Sequence, residues 1–246
     1  MSDPQGNGSG NGAAHGRALV VAAHPDDPEF LFGAAVASLV EQGAEVAYLV
    51  CSDGANGSRD PRAPREEVAA AREREQREAA GELGVTDVVF LRLPDGRLAP
   101  DGALRSAIAR EIRRFRPELV ITHFPRRALD IPIEASHPDH LAVGEAALAA
   151  VFPDAANARA LPELLDEGLQ PHRVKEVWIP GYERSSDHFV DATPFMERKI
   201  AAIQRHASQV GGADPRESLA WVYGWMKGVG GQAGYEYAEN YRRIRL

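Results

Sequence analysis

The sequence predicts an α/β fold: a mostly parallel sheet sandwiched by helices, in a single domain with a C-terminal extension. Three observations carry this reading. Ala18 to Ala23, Glu45 to Cys51 and Glu118 to Thr122 are short runs with the continuous hydrophobicity of strands buried on both faces. Segments of helical character separate them, and that alternation builds parallel sheets. A chain of 246 residues, 44% hydrophobic and 26% charged, suffices for one such domain with a real core.

Composition narrows the partners. The net charge is −8, and the arginines between Arg59 and Arg77 are interleaved with glutamates, so no basic stripe offers itself to a phosphate backbone and nucleic acid is not expected. No apolar run approaches the roughly 20 residues that cross a bilayer. The single cysteine, Cys51, cannot form an internal disulfide, and the N-terminus lacks a signal-peptide pattern, which together point to a reducing cytoplasm. At the end of an apolar run, Cys51 reads as a buried strand residue rather than a nucleophile.

Residues 1–16 are Gly, Asn and Ser with little to bury and read as a disordered tail. Residues 17–210 read as the α/β domain. After the first strand, Asp27-Pro28-Glu29 is a helix start, with a capping carboxylate, proline in the first helical position and an acid in the first turn. That helix runs from Phe30 to Glu41 and stops at Gly43. The second strand ends in Ser52-Asp53-Gly54-Ala55-Asn56-Gly57, a functional-looking loop. Arg65 to Leu83 is a charged helix with a thin apolar stripe of Val68, Ala71, Ala79 and Leu83, ended by Gly84.

Asp87 to Leu93 makes the third strand, Pro94-Asp95-Gly96 a turn, Ala103 to Phe115 a helix, and Glu118 to Thr122 the fourth strand. The connection from Phe124 to Ser136 is long and proline-punctuated, a length usual for functional or mobile loops. Ser136 to Asp139 has capping-box spacing, so His137 to His140 should form the first turn of the helix that continues from Leu141 to Val151. Val174 to Ile179 reads as a fifth strand and Pro194 to Ser208 as a helix. Residues 211–246, rich in glycine and aromatics, give no clear element. They are expected to pack on the same domain or at a subunit interface, which leaves a homo-oligomer open.

The chemistry gathers in two clusters, His24-Pro25-Asp26-Asp27 and His137-Pro138-Asp139-His140, which share the tripeptide His-Pro-Asp. Catalytic zinc takes three ligands of His and carboxylate type and keeps one position open. His24, Asp27 and His140 fit that set, with Asp26 and His137 free beside the metal. Iron(II) uses the same ligand types. At a helix start His140 would be kept neutral, the form a metal requires. Asp26 would serve as general base, and His137, paired with Asp139 and kept protonated, would stabilise an oxyanion and protonate a leaving amine. The plainer reading, in which these residues are helix caps and turn formers, explains each alone but not their repetition.

The sequence resembles the PIG-L or LmbE-like family of zinc-dependent N-deacetylases. The resemblance rests on Ala23-His24-Pro25-Asp26-Asp27-Pro28-Glu29-Phe30 and on His137-Pro138-Asp139-His140. Ser52-Asp53-Gly54, Arg72-x-x-Glu75 with Leu83-Gly84-Val85, and His206-Ala207-Ser208-Gln209 support it in register. It implies a Rossmann-like domain that hydrolyses an N-acyl group, commonly N-acetyl on glucosamine-type sugars and their conjugates, with zinc on His24, Asp27 and His140, Asp26 as base, and His137 assisted by Asp139. It also implies a place for Arg72 in the substrate pocket; the alternative is an exposed charge paired with Glu75. Where some members carry an aromatic or basic side chain before the second motif, this chain has Ala135 and Ser136, so a supplementary donor is either missing or supplied by the Arg126 to Glu134 loop.

Other readings remain from the sequence alone: an amidase for a thiol conjugate or an N-acylated natural-product intermediate, and a non-catalytic sugar-binding protein of the same fold. His123 is either a fourth ligand or a hydrogen-bonded structural histidine. His206 and Gln209 either line the pocket or pack a helix. His188 and Asp191 read as solvated, with Asp191 a candidate helix cap, and Trp221, Tyr223 and Trp225 as either a sugar platform or buried packing.

Overall fold

The computed structural model describes residues 15–127, 133–181, 186–211 and 214–246. Strands β1 (Arg17–Ala22), β2 (Glu45–Ser52), β3 (Asp87–Leu93), β4 (Leu119–Thr122), β5 (Glu176–Pro180), β6 (His188–Asp191) and β7 (Ala238–Arg245) form one sheet in the order β3-β2-β1-β4-β5-β7-β6. β1 to β5 pair in parallel, while β7 runs antiparallel to both β5 and β6. The chain steps outward from β1 to β3 and then returns to place β4 on the other side of β1. Loops leaving the carboxyl ends of β1 and β4 therefore diverge and open a crevice. His24 follows β1 and His123 follows β4.

Side chains alternate between the two faces of each strand. On one face Leu19, Val21, Leu49 and Cys51 pack against Ile108 and Ile112 of α3 (Gly102–Phe115) and Val143 and Ala147 of α4 (Pro138–Ala149). On the other, Val20, Tyr48 and Val50 meet Phe32 and Val36 of α1 (Asp27–Glu41), and Ala80 of α2 (Arg65–Glu82) with the adjoining Leu83. With both faces covered, β1, β2 and β4 bury every residue except Arg17 and Glu45. Cys51 is fully buried, and burial pushes its thiol pKa upward. A short α5 (Glu163–Asp166) precedes β5. After β6 come α6 (Met196–Arg205), α7 (Ala207–Val210), α8 (Pro215–Ser218) and α9 (Ala220–Ala233). None of the described helices is long and apolar enough to cross a membrane.

Several elements differ from expectation. Residues beyond Gly211 supply α9 and β7, and β7 lies inside the sheet between β5 and β6. The helix expected over Pro194 to Ser208 breaks at His206, which leaves helical geometry (φ −80°, ψ 57°). The buried face of α2 carries Arg72, Gln76, Ala79 and Ala80, so half of it is polar and turned toward the crevice, while Val68 and Ala71 are only half-buried. His188 is a strand residue packed on the Trp178 ring at 4.5 Å, not a solvated loop residue. Asp191 accepts from Thr193 N–H (2.9 Å) and caps the turn before α6. Most of the tail and the centre of the 124–136 connection lie outside the described residues.

Candidate metal and active site

Both His-Pro-Asp segments sit at the carboxyl edge of the sheet, and each proline sets the local backbone. Pro28 allows α1 to begin at Asp27, with Asp26 as N-cap residue. Asp27 does not cap the helix: its Oδ2 accepts instead from His24 N–H at 2.7 Å, which closes the His24–Asp27 turn on itself. In the second segment Pro138 forces the residue before it out of helical geometry. His137, rather than Ser136, is therefore the N-cap, and its Nδ1 accepts from Asp139 N–H at 3.2 Å.

Three of the expected ligand groups converge. His24 Nδ1 lies 3.3 Å from His140 Nε2 and 3.4 Å from Asp27 Oδ2, and His140 Nε2 lies 3.0 Å from Asp27 Oδ1. Zinc–ligand bonds of about 2.0–2.1 Å in tetrahedral array separate neighbouring ligand atoms by roughly 3.3 Å, a spacing these contacts approach with one Asp27 oxygen turned to each histidine. The charge pattern agrees. Burial alone would lower the His24 pKa, but hydrogen bonds with Asp139, Asp27 and Asp95 outweigh it and raise it to about 12. Burial likewise disfavours ionised Asp27, yet His140 and His123 hold its carboxyl well below the usual range. Carboxylates thus face both ring nitrogens of His24.

The other side of His24 reveals two roles not expected from sequence. His24 Nε2 faces Asp95 Oδ1 at 3.2 Å and Asp139 Oδ2 at 3.3 Å. Asp139 also accepts from Gly96 N–H (2.8 Å) and Leu98 N–H (3.2 Å), so it orients His24 and ties the β3–α3 turn to α4. It does not pair with the His137 ring. With Nδ1 of His137 used as an acceptor, its proton sits on Nε2, and burial together with the charges of His24 and His140 lowers its pKa. The His137 ring thus meets the backbone of Asp139 and not the carboxylate expected to pair with it. Asp95, which reads in the sequence as turn chemistry, is 7% exposed; its Oδ2 is fixed by Asn56 N–H at 3.0 Å.

Asp26 stands on the opposite side of the turn, its side chain 19% exposed and facing a cavity of about 290 Å³ lined also by His24, Asn56, Gly57, Arg72, Asp95, His137 and His140. Its φ of 108° is a conformation that costs a non-glycine residue on the order of 1–3 kcal/mol. Burial raises its carboxyl pKa to about 6, with Arg72 opposing the rise and Asp27 adding to it. Arg72 is 4% exposed. Its Nη2 donates to Asp26 Oδ2 at 2.9 Å and to the Pro25 carbonyl, and its Nη1 donates to the Gly54 carbonyl at 2.8 Å. The Gly54 backbone (φ 64°) lies so close that a Cβ there would stand 2.8 Å from Arg72 Nη1. The alternative pairing of Arg72 with Glu75 is absent, because Glu75 receives Ser208 N–H (2.9 Å) and Ser208 Oγ–H (2.6 Å).

The remaining histidines have structural partners. His123 Nε2 accepts from Ala23 N–H at 2.9 Å, which occupies the lone pair a metal would need, and burial lowers its pKa to about 4. His206 is fully buried against Glu29 (2.9 Å). Gln209 donates to the Gly57 carbonyl at 2.7 Å and so braces the cavity wall. Trp221, 58% exposed, stacks on Phe30 at 5.6 Å and does not line the cavity.

Residues 19–151 match the family described as GlcNAc-PI de-N-acetylase, PIG-L, a span of more than half the chain. The chain belongs to the PIG-L family. It is similar to diacetylchitobiose deacetylase from Thermococcus kodakarensis, at 30% identity over 93% of this chain and 83% of the relative. It is also similar to a probable N-acetyl-alpha-D-glucosaminyl L-malate deacetylase 2 from Bacillus anthracis, at 28% identity over 78% of this chain and 80% of that one. The solved N,N'-diacetylchitobiose deacetylase from Pyrococcus horikoshii superposes with a TM-score of 0.85 at 28% identity, covering 94% of this chain and 84% of the other. These PIG-L relatives are named deacetylases, enzymes that hydrolyse N-acetyl amide bonds, and this chain is an enzyme of that class.

Proposed function

We propose that this PIG-L protein removes an N-acetyl group from an N-acetylglucosamine-type sugar or its conjugate, with zinc held by His24, Asp27 and His140 and with Asp26 as general base. The observation that carries the reading is the convergence of His24 Nδ1, His140 Nε2 and the two Asp27 carboxylate oxygens, with contacts of 3.0–3.4 Å, beside the Asp26 carboxylate that opens into the same cavity. A bound divalent metal would supply Lewis acidity and lower the pKa of water toward 7. Asp26 takes the proton of the attacking water and delivers it to the departing nitrogen, so the C–N bond breaks to acetate and a free amine. Arg72 fixes one oxygen of Asp26 and thereby the direction of the carboxylate.

His137 Nε2–H, its tautomer set by the Asp139 backbone, hydrogen-bonds the carbonyl oxygen as negative charge develops. Asp139 and Asp95 act through His24, whose Nδ1 they turn toward the other two ligands. A cavity of about 290 Å³ is at the small end of ligand sites and suits one amino-sugar ring rather than a polymer chain.

Acetate release from N-acetylglucosamine and diacetylchitobiose, before and after chelation and zinc return, tests the reading. Release lost on chelation, restored by zinc and missing in His140→Ala is the expected result; release indifferent to the metal would contradict it.

A further inference from the structure

We infer that Gln76, anchored by the buried pair Glu29 and His206, is the positioning residue that holds the peptide of Asp26 in its strained conformation. The inference rests on the assignment of Asp26 as general base. Asp26 has φ 108° and ψ −32°, outside the region an aspartate adopts unaided. Two side chains of α2, one turn apart, grip it. Arg72 takes the preceding carbonyl, Pro25 O, and the Asp26 carboxylate. Gln76 Oε1 accepts from Asp26 N–H at 2.8 Å.

Gln76 is itself fully buried, and its orientation is not free. Its Nε2 donates to both oxygens of Glu29, at 2.9 and 3.0 Å, so the amide oxygen must point at Asp26. Glu29, also fully buried, receives a further hydrogen bond from His206 Nε2 at 2.9 Å, and this fixes the His206 tautomer with its proton on Nε2. His206 sits where the chain breaks between α6 and α7, and Ser208 and Gln209 beyond it clasp α2 and the Gly57 loop. The relay therefore runs from the α6–α7 break through the first turn of α1 to α2 and ends on the backbone of Asp26. None of Gln76, Glu29 and His206 lines the cavity, so their effect on the reaction is through the position of Asp26.

The test compares Gln76→Glu, which keeps the acceptor for Asp26 N–H but sets a carboxylate against Glu29, with the exchanged pair Gln76→Glu/Glu29→Gln, which restores a donor between the two positions. Gln76→Glu is expected to lower kcat roughly 10–100-fold, because a misplaced base loses near-attack geometry. The KM and the zinc per chain stay within about twofold of the parent, as expected when only transition-state contacts are lost. Hydrogen exchange at the Asp26 amide quickens in step, and the exchanged pair recovers most of the kcat and the slow exchange.

Unchanged kcat in Gln76→Glu, a loss that only follows zinc loss, or an exchanged pair as slow as the single variant would each overturn the inference. Asp26→Asn, measured alongside, separates the two levels. If it is active, the base assignment itself fails. If it is inactive beside a fully active Gln76→Glu, only the positioning role fails.

Discussion

Asp95 places Oδ1 3.2 Å from His24 Nε2 and Asp139 places Oδ2 3.3 Å from the same atom, while Asn56, Gly96 and Leu98 backbone groups hold the two carboxylates in place. In the proposed site both would act on a bound metal through His24. Carboxylates behind a ligating histidine typically contribute 10–100-fold to metal affinity, so Asp95→Asn should weaken zinc binding by about that factor in competition with a chelator while leaving the fold intact. Wild-type affinity in the variant would mean that Asp139 alone orients His24. Sequence reasoning reached Asp139 but gave it to His137, because adjacency along the chain was taken for adjacency in space. It missed Asp95 because Pro94-Asp95-Gly96 is sufficient as turn chemistry, and only the packing of that turn onto α4 buries the carboxylate.

At the scale of elements, β6 carries an acid-sensitive contact. His188 packs on the Trp178 ring at a 56° tilt with its Nε2 buried and unpaired; burial, aided by Arg243, lowers its pKa to about 4, against opposing influence from Glu176 and Asp187. Its folded pKa lies below the ordinary value of 6.5, so above pH 6.5 it is neutral in both states and costs nothing. Between pH 6.5 and 4 the unfolded chain binds the proton first, and stability is lost as pH falls. Urea unfolding midpoints at pH 7 and pH 5 should therefore drop less in His188→Phe than in the parent; an equal drop would assign the acid sensitivity to other groups. The α4 element meets β4 just as closely: a Cβ on Gly144 would stand 2.5 Å from the His123 carbonyl oxygen. Gly144→Ala should push α4, with His140 at its start, away from the sheet, and its zinc content should fall together with its Tm.

For the whole molecule, β7 closes the structure onto the site-bearing helix. Glu239, 1% exposed, accepts from Ala34 N–H (2.9 Å) and Ala35 N–H (2.8 Å) in the interior of α1, and also from Lys199 Nζ (2.6 Å) and Tyr241 OH (2.7 Å). Lys199 in turn donates to the Phe30 carbonyl at 2.7 Å. Removing one member of a buried ion pair strands the other, at a cost of about 3–5 kcal/mol. Lys199→Met should accordingly lower Tm by roughly 6–20 °C in a domain of this size, readable by calorimetry. A shift under about 2 °C would mean that Glu239 is satisfied by the helix and Tyr241 without the lysine.

The α/β core was legible because β1, β2 and β4 are continuous apolar runs, and the two clusters that meet at the cavity because His-Pro-Asp recurs in the sequence. β7 was not, since four of the eight residues of Ala238–Arg245 are charged and only Ala238, Glu239 and Tyr241 are buried. Nor was α9, whose glycines speak against a helix until Val222 and Met226 join Met196, Ile200 and Ile203 of α6 in one cluster and the helix packs along β7.

The most direct measurement is zinc content and acetate release on one preparation of Asp26→Asn. About one zinc per chain, as in the parent, is predicted, because Asp26 is not a ligand. Turnover should fall by about 10²–10⁴-fold, the usual contribution of a general base. Parental turnover in Asp26→Asn, or loss of its zinc, would contradict the division of labour between Asp26 and Asp27.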